Sequence, residues 1–120
     1  MELEIGHTSS VIYARISGSE EKAFLRYRVE NGSMILLETY TPPAFRGQGV
    51  AKRLVEYAVG LARQRDLTII PICSYAVYFF MKNKEYRSIL HPNYRDLSDE
   101  QWKKLMDEAL SREASKPSQG

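Results

Sequence analysis

A single break in periodicity constrains this chain most. Through Thr41 apolar side chains recur at every second position, and after Arg46-Gly47-Gln48-Gly49 they recur every third or fourth, at Ala51, Leu54, Val55, Ala58, Leu61 and Ala62. A period of two marks a half-buried strand and a period of 3.6 an amphipathic helix. Pro42 and Pro43 stand between them, and neither can donate to a strand ladder, so the strand stops there. The helix carries Lys52, Arg53, Glu56 and Arg63 on its other side, so it lies on a sheet and keeps one face in water. Strand, glycine turn and sheet-packed helix in succession specify an α/β class.

The elements on either side follow from the same patterns. Val11 to Ile16 reads as a strand that turns at Ser17-Gly18-Ser19. From Ala23 the residues Ala23, Leu25, Tyr27 and Val29 face one way, and Phe24, Arg26 and Arg28 the other. Asn31-Gly32 predicts a type I′ hairpin into a strand from Met34 to Thr41. Leu67 to Cys73 is a further apolar strand. A long helical crossover makes it parallel to the Met34 strand through a right-handed connection. Tyr75 to Lys84 has helical composition, and Asn93 to Asp96 reads as a loop. Ser98 with Gln101 is a capping-box pair, with Leu97 and Trp102 at the staple positions. They start a last helix over about 99–112, whose stripe is Trp102, Leu105, Met106 and Leu110.

At 120 residues the chain suits one domain, expected over 1–113 with a flexible tail over 114–120. Hydrophobic residues make up 43% and charged residues 27%, which excludes disorder for most of the chain. Seventeen Lys and Arg against 15 Asp and Glu give +2, too mild a balance to argue for nucleic acid or an anionic membrane. Cys73 is alone and the histidines, His7 and His91, are far apart, which argues against both a disulfide framework and a metal site. No apolar run approaches 18 residues, and Glu2, Glu4 and His7 stand where a basic leader would begin, so a cytoplasmic, membrane-free protein is expected.

Between Thr41 and Lys52 a strand ends and a helix starts across two glycines, so unpartnered N–H groups stand at the positive end of a helix dipole. Such an entrance binds phosphate, and Gly47 and Gly49 keep β-carbons out of an anion's way. The same glycines also serve any tight strand-to-helix turn. Placement between strand and helix is what gives the short motif its weight.

Arg46-Gly47-Gln48-Gly49-Val50-Ala51 resembles the acetyl-CoA pyrophosphate loop of the GNAT superfamily of N-acetyltransferases. The flanking Glu38-Thr39-Tyr40-Thr41-Pro42 and Pro71-Ile72-Cys73-Ser74-Tyr75 are similar to a short, single-domain GNAT-like branch, and the likeness runs from about 23 to 91. The resemblance implies an acyl-CoA N-acyltransferase fold. Its sheet is mixed and mostly antiparallel, with flanking helices and one parallel pair, Met34–Thr41 and Leu67–Cys73, that splays around acetyl-CoA. It also implies coenzyme A contacts along Arg46 to Lys52 and an amine acceptor, either a small molecule or a protein lysine or N-terminus. Pro71 fits a gap in the sheet, where pantetheine amides would pair with the free edge near Thr39, Tyr40 and Thr41, or else an ordinary edge strand. A non-catalytic acyl-CoA-binding module and an interaction domain without coenzyme are the alternatives. A monomer and a homodimer are both open, because the last helix can cover its own core or a partner's.

Acetyl transfer from a thioester to an amine needs a proton acceptor, oxyanion donors and often an acid for the thiolate. Cys73 stands where the second splayed strand ends, as a packing or acyl-contacting residue or as a nucleophile needing an activator. By parity Glu38 shares a face with Met34, Leu36 and Tyr40. If that face is apolar its pKa rises toward that of a general base, and otherwise it points to solvent. The phenol that family members often carry on the following helix falls by spacing at Phe79-Phe80, with Tyr75 and Tyr78 off register. Arg26, Arg28, Arg46, Lys52, Arg53 and Arg87 form either a basic rim or an ordinary solvated surface. The aromatic run from Tyr75 to Phe80 is read as helix core in preference to a base-stacking platform.

Overall fold

Asn31 and Gly32 adopt positive φ, 50° and 79°, as a type I′ turn demands. They join β3 (Lys22–Glu30) to β4 (Ser33–Tyr40) at the centre of a sheet that also contains β1 (Leu3–His7), β2 (Val11–Ile16) and β5 (Thr68–Pro71). The computed structural model describes residues 1–115. Strand order follows the sequence, β1-β2-β3-β4-β5, antiparallel up to β4 and parallel between β4 and β5. This is the mixed, mostly antiparallel α/β architecture expected. β1 is an addition. Its Leu3 and Ile5 are only partly buried among Glu2, Glu4 and His7, so its alternation is faint in the sequence.

One helix face and one sheet face make the main core. α1 (Val50–Gln64) buries Leu54, Val55, Ala58, Leu61 and Ala62 over Ile12, Ala14, Leu25, Tyr27, Met34 and Leu36. Burying such a side chain stabilises by about 1.5–3 kcal/mol, which makes this layer the rigid base of everything above it. α2 (Ser74–Lys82) follows β5, and α4 (Asp99–Ser115) packs along α2. The capping box forms reciprocally: the Ser98 N–H donates to Gln101 Oε1 at 2.9 Å and the Gln101 N–H to Ser98 Oγ at 3.1 Å.

The structure departs from the sequence reading in several places, β5 among them, which is Thr68–Pro71 where Leu67 to Cys73 was expected. Residues 92–95 form a one-turn helix, α3 (Pro92–Arg95), where a loop was expected, because Pro92 starts it and His91 Nδ1 accepts from the Asn93 N–H. α4 runs through Ala114 and Ser115, which the expected tail had included, while 116–120 lie outside the described residues. Leu110 is half-exposed and Ala109 is buried in its place, since Leu110 sits about 80° around the helix from Trp102.

Candidate active site

β4 and β5 part in the middle of β4. Their pairing runs from Ser33 opposite Thr68 to Leu36 opposite Pro71. The N–H groups of Ile72 and Cys73 both donate to the Leu36 carbonyl, each at 3.1 Å, and the chain then turns into α2. Beyond Leu36, β4 keeps only β3 as a strand neighbour among the described residues. Pro71 therefore marks both the end of pairing and the last strand of the sheet.

A bulge occurs at the same level. Arg26 opposes Glu38 and Tyr27 opposes Leu36, leaving Leu37 as the extra residue. One inserted residue reverses the parity of the rest of the strand. Thr39 now shares the inward face of Leu25, while Glu38 and Tyr40 join Arg26 and Phe24 on the open face. The parity that grouped Glu38 with Met34 and Leu36 is overturned. Glu38 Oε1 accepts from Arg26 Nε at 2.8 Å, and Tyr40 stacks on Phe24 with centroids 5.4 Å apart.

The entrance of α1 stands beside this opening. Gly47 and Gly49 have φ of 79° and 82°, and a β-carbon at either would meet no atom within 4 Å. Glycine is thus required by backbone angle, and the space above is open. Gly49 is the N-cap and supplies no capping side chain, so the first-turn N–H groups of Val50, Ala51 and Lys52 remain available. A cavity of about 700 Å³ lies over them. It brings together the anticipated Thr39, Tyr40 and Thr41 with Arg46, Gly47, Gly49, Val50, Ala51 and Lys52. Gln48 is not on its wall, and its amide instead donates to the Ala44 carbonyl at 3.3 Å and ties the turn. Arg46 Nε donates to the Thr41 carbonyl at 2.8 Å, with its guanidinium 5.9 Å from the Tyr40 ring centre.

The opposite wall comes from α2 and contains residues the sequence reading set aside. Tyr75, Tyr78 and Lys82 line the cavity, and Phe45 and Asn83 complete its lining. Phe79 and Phe80 are fully buried, so the register that put a hydroxyl-free position at the site is corrected. The i, i+3, i+7 spacing of Tyr75, Tyr78 and Lys82 was the available signal. Burial, then the neighbouring Tyr78 and Glu56, push the Tyr75 phenol up, which keeps it protonated. Of the basic rim only Arg46 and Lys52 line the cavity, Arg53 does not, and Lys82 of α2 is an addition. Arg26 and Arg28 are paired with Glu38 and Glu30, and Arg87 stacks 4.9 Å over Trp102 while its Nε donates to the Phe80 carbonyl.

Cys73 and Glu38 lie off the cavity wall. Cys73 is 5% exposed at the N-cap of α2, with Sγ 3.2 Å from Thr39 Oγ1. Burial pushes its thiol up more than the Thr39 hydrogen bond lowers it, so the sulfur stays protonated at neutral pH. That suits a packing residue behind Thr39 better than a nucleophile. Among the described residues no cluster of three His, Cys, Asp or Glu could hold a metal, and no helix is long and apolar enough to cross a membrane.

The chain matches known proteins over the part that builds this cleft. Residues 12–89 match the family of GCN5-related N-acetyl-transferases. The protein NATD1 of Danio rerio is 33% identical over 81 residues, covering 67% of this chain and 68% of that protein. NATD1 of Xenopus tropicalis is 32% identical over 81 residues, covering 65% and 74%. The NMR solution structure of a GCN5-like protein from Staphylococcus aureus superposes with a TM-score of 0.58 at 26% identity, over 81% of this chain and 92% of that one. A cleft opened by parting parallel strands, floored by a glycine-led helix and matched across this span, has one assignment: the chain belongs to the GCN5-related N-acetyltransferase family.

Proposed function

We propose that this protein transfers an acetyl group from acetyl-CoA to an amine by direct attack, with the coenzyme in the cavity between β4, α1 and α2. The observation that carries the reading is the bare first turn of α1, behind glycines at positive φ, on the floor of a 700 Å³ cavity. The residues fit the coenzyme. The N–H groups of Val50 and Ala51 and the side chains of Arg46 and Lys52 suit a diphosphate, and charge-assisted hydrogen bonds contribute about 1.5–3 kcal/mol each. The strand-free edge of Thr39 to Thr41 suits the amides of the pantetheine arm. Acetyl-CoA supplies the activated acyl group.

The amine approaches from the open face of β4, where Arg26 holds Glu38, and Glu38 is the carboxylate that takes the amine's proton. Tyr75 is the donor that returns a proton to the leaving thiolate, because it faces the cavity in the first turn of α2 and burial keeps it protonated. Cys73 supports Thr39 and forms no covalent intermediate. Calorimetric titration with coenzyme A tests the binding half, and release of free thiol with a panel of lysine peptides and small amines tests the chemistry. Binding that is absent at millimolar coenzyme, or unaffected in Gly49→Val, overturns the site. Binding without turnover on any amine reduces the protein to an acyl-CoA-binding module.

A further inference from the structure

α2 begins without a cap of its own. Its N-cap residue is Cys73, whose side chain makes no capping bond and turns to Thr39. The missing acceptor comes from 39 residues further along, at the end of α4. Glu113 accepts the Ser74 N–H through Oε2 at 2.8 Å and the Ser74 hydroxyl through Oε1 at 2.7 Å. Beside it, Arg112 donates to the Ile72 carbonyl at 2.8 Å. An anion thus stands at the positive end of α2 and a cation at the carbonyl just past the end of β5, each on the side that its charge favours. Two adjacent residues of α4 grip the corner where the sheet opens. The family match ends at residue 89, before α4 begins at Asp99, so this grip lies outside what the match covers.

We propose that Glu113, with Arg112 beside it, is a positioning residue for the coenzyme cleft: the pair fixes the β5–α2 corner, and with it the wall that carries Tyr75 and Tyr78. The proposal rests on reading the cavity as the coenzyme site. Tyr75 directly follows the clamped Ser74, so any drift of the first turn of α2 moves its hydroxyl across the cavity. Cys73 reports on the same corner. The groups facing its thiol are Thr39 from β4 and, from α4, Glu113, whose charge acts in the same direction as burial, with Arg112 on the adjoining carbonyl.

Cys73 is the chain's one cysteine, so its alkylation by iodoacetamide is an unambiguous reading of the corner in the coenzyme-free full chain. Glu113→Ala is expected to raise the alkylation rate at every pH and to weaken coenzyme A binding about three- to tenfold by calorimetry. Glu113→Gln, which keeps one acceptor and loses the charge, is expected to hold affinity within about threefold while the alkylation midpoint moves to lower pH. Arg112→Ala should also speed alkylation, and it decides the matter should Glu113→Ala fail to fold. Wild-type alkylation rate and midpoint in the Glu113 variants overturn the proposal even where melting temperature falls. Faster alkylation of Glu113→Ala with unaltered coenzyme affinity overturns it too, since Glu113 would then be a helix cap and nothing more. Failure of the wild-type protein to bind coenzyme A sinks the reading of the cavity instead, and the alkylation rates still decide whether the corner is clamped.

Discussion

The two walls of the cleft are made differently. The β4–α1 wall comes from one continuous stretch, Thr39 to Lys52, and joins main-chain features, a strand edge, two glycines and a helix entrance, to the side chains of Arg46 and Lys52. The α2 wall presents side chains, Tyr75, Tyr78 and Lys82, and its first turn is hydrogen-bonded by Glu113 of α4, a helix that packs along it. A ligand's constant parts, phosphates and amides, suit the first wall. On the function proposed above, proton transfer and selectivity fall to the second, where one side chain can change without loss of the cradle.

Substitutions on each wall separate these roles. The largest effect is expected from Tyr75→Phe, which should lower kcat about a hundredfold with KM for acetyl-CoA nearly unchanged, followed by thiol release. Tyr78→Phe should matter less, and equal losses would mean that the acid has been misassigned. On the first wall, Gly49→Val should weaken coenzyme A binding by about tenfold or more through calorimetry, because a β-branched residue resists φ of 82° and covers the anion-facing N–H groups. A Tyr75→Phe variant that lost affinity instead of turnover would erase the distinction between the walls.

Glu38→Gln is expected to lower kcat by about tenfold, less than a free general base would, because Arg26 already holds the carboxylate. Its stability should stay within about 1 kcal/mol of wild type in urea titrations, as for other exposed ion pairs. The smallest effect belongs to Cys73→Ala, which should keep turnover within about threefold. A loss of a thousandfold would make Cys73 a nucleophile after all. Its signature is in pH: the folded thiol ionises above the unfolded one, so its contribution is complete below about pH 8.5 and is lost as pH rises through the folded value. Wild-type stability should therefore decline above about pH 8.5 more steeply than that of Cys73→Ala.

Much of the first wall was legible because its signals are local. Pro42-Pro43, the two glycines and the change of period each act within a few residues, so the strand, turn and helix follow in order, as does the Asn31-Gly32 hairpin. The second wall was misjudged at Phe79-Phe80. A helix face is assigned by what it packs against, and α2 is apolar on several sides. Glu38 was misplaced for a related reason: the bulge at Leu37 has no sequence mark, and it reverses every face after it.

By itself the sequence determined the class of fold and the place of the glycine turn that opens α1, since backbone angles and hydrophobic period are properties of neighbouring residues. Only the tertiary structure decided that Thr39 backs onto Cys73, that Tyr75 and Tyr78 face the cavity, and that Glu113 closes the corner opened by Pro71. These depend on an inserted residue in a ladder and on contacts across 39 positions of chain, and no local preference encodes either.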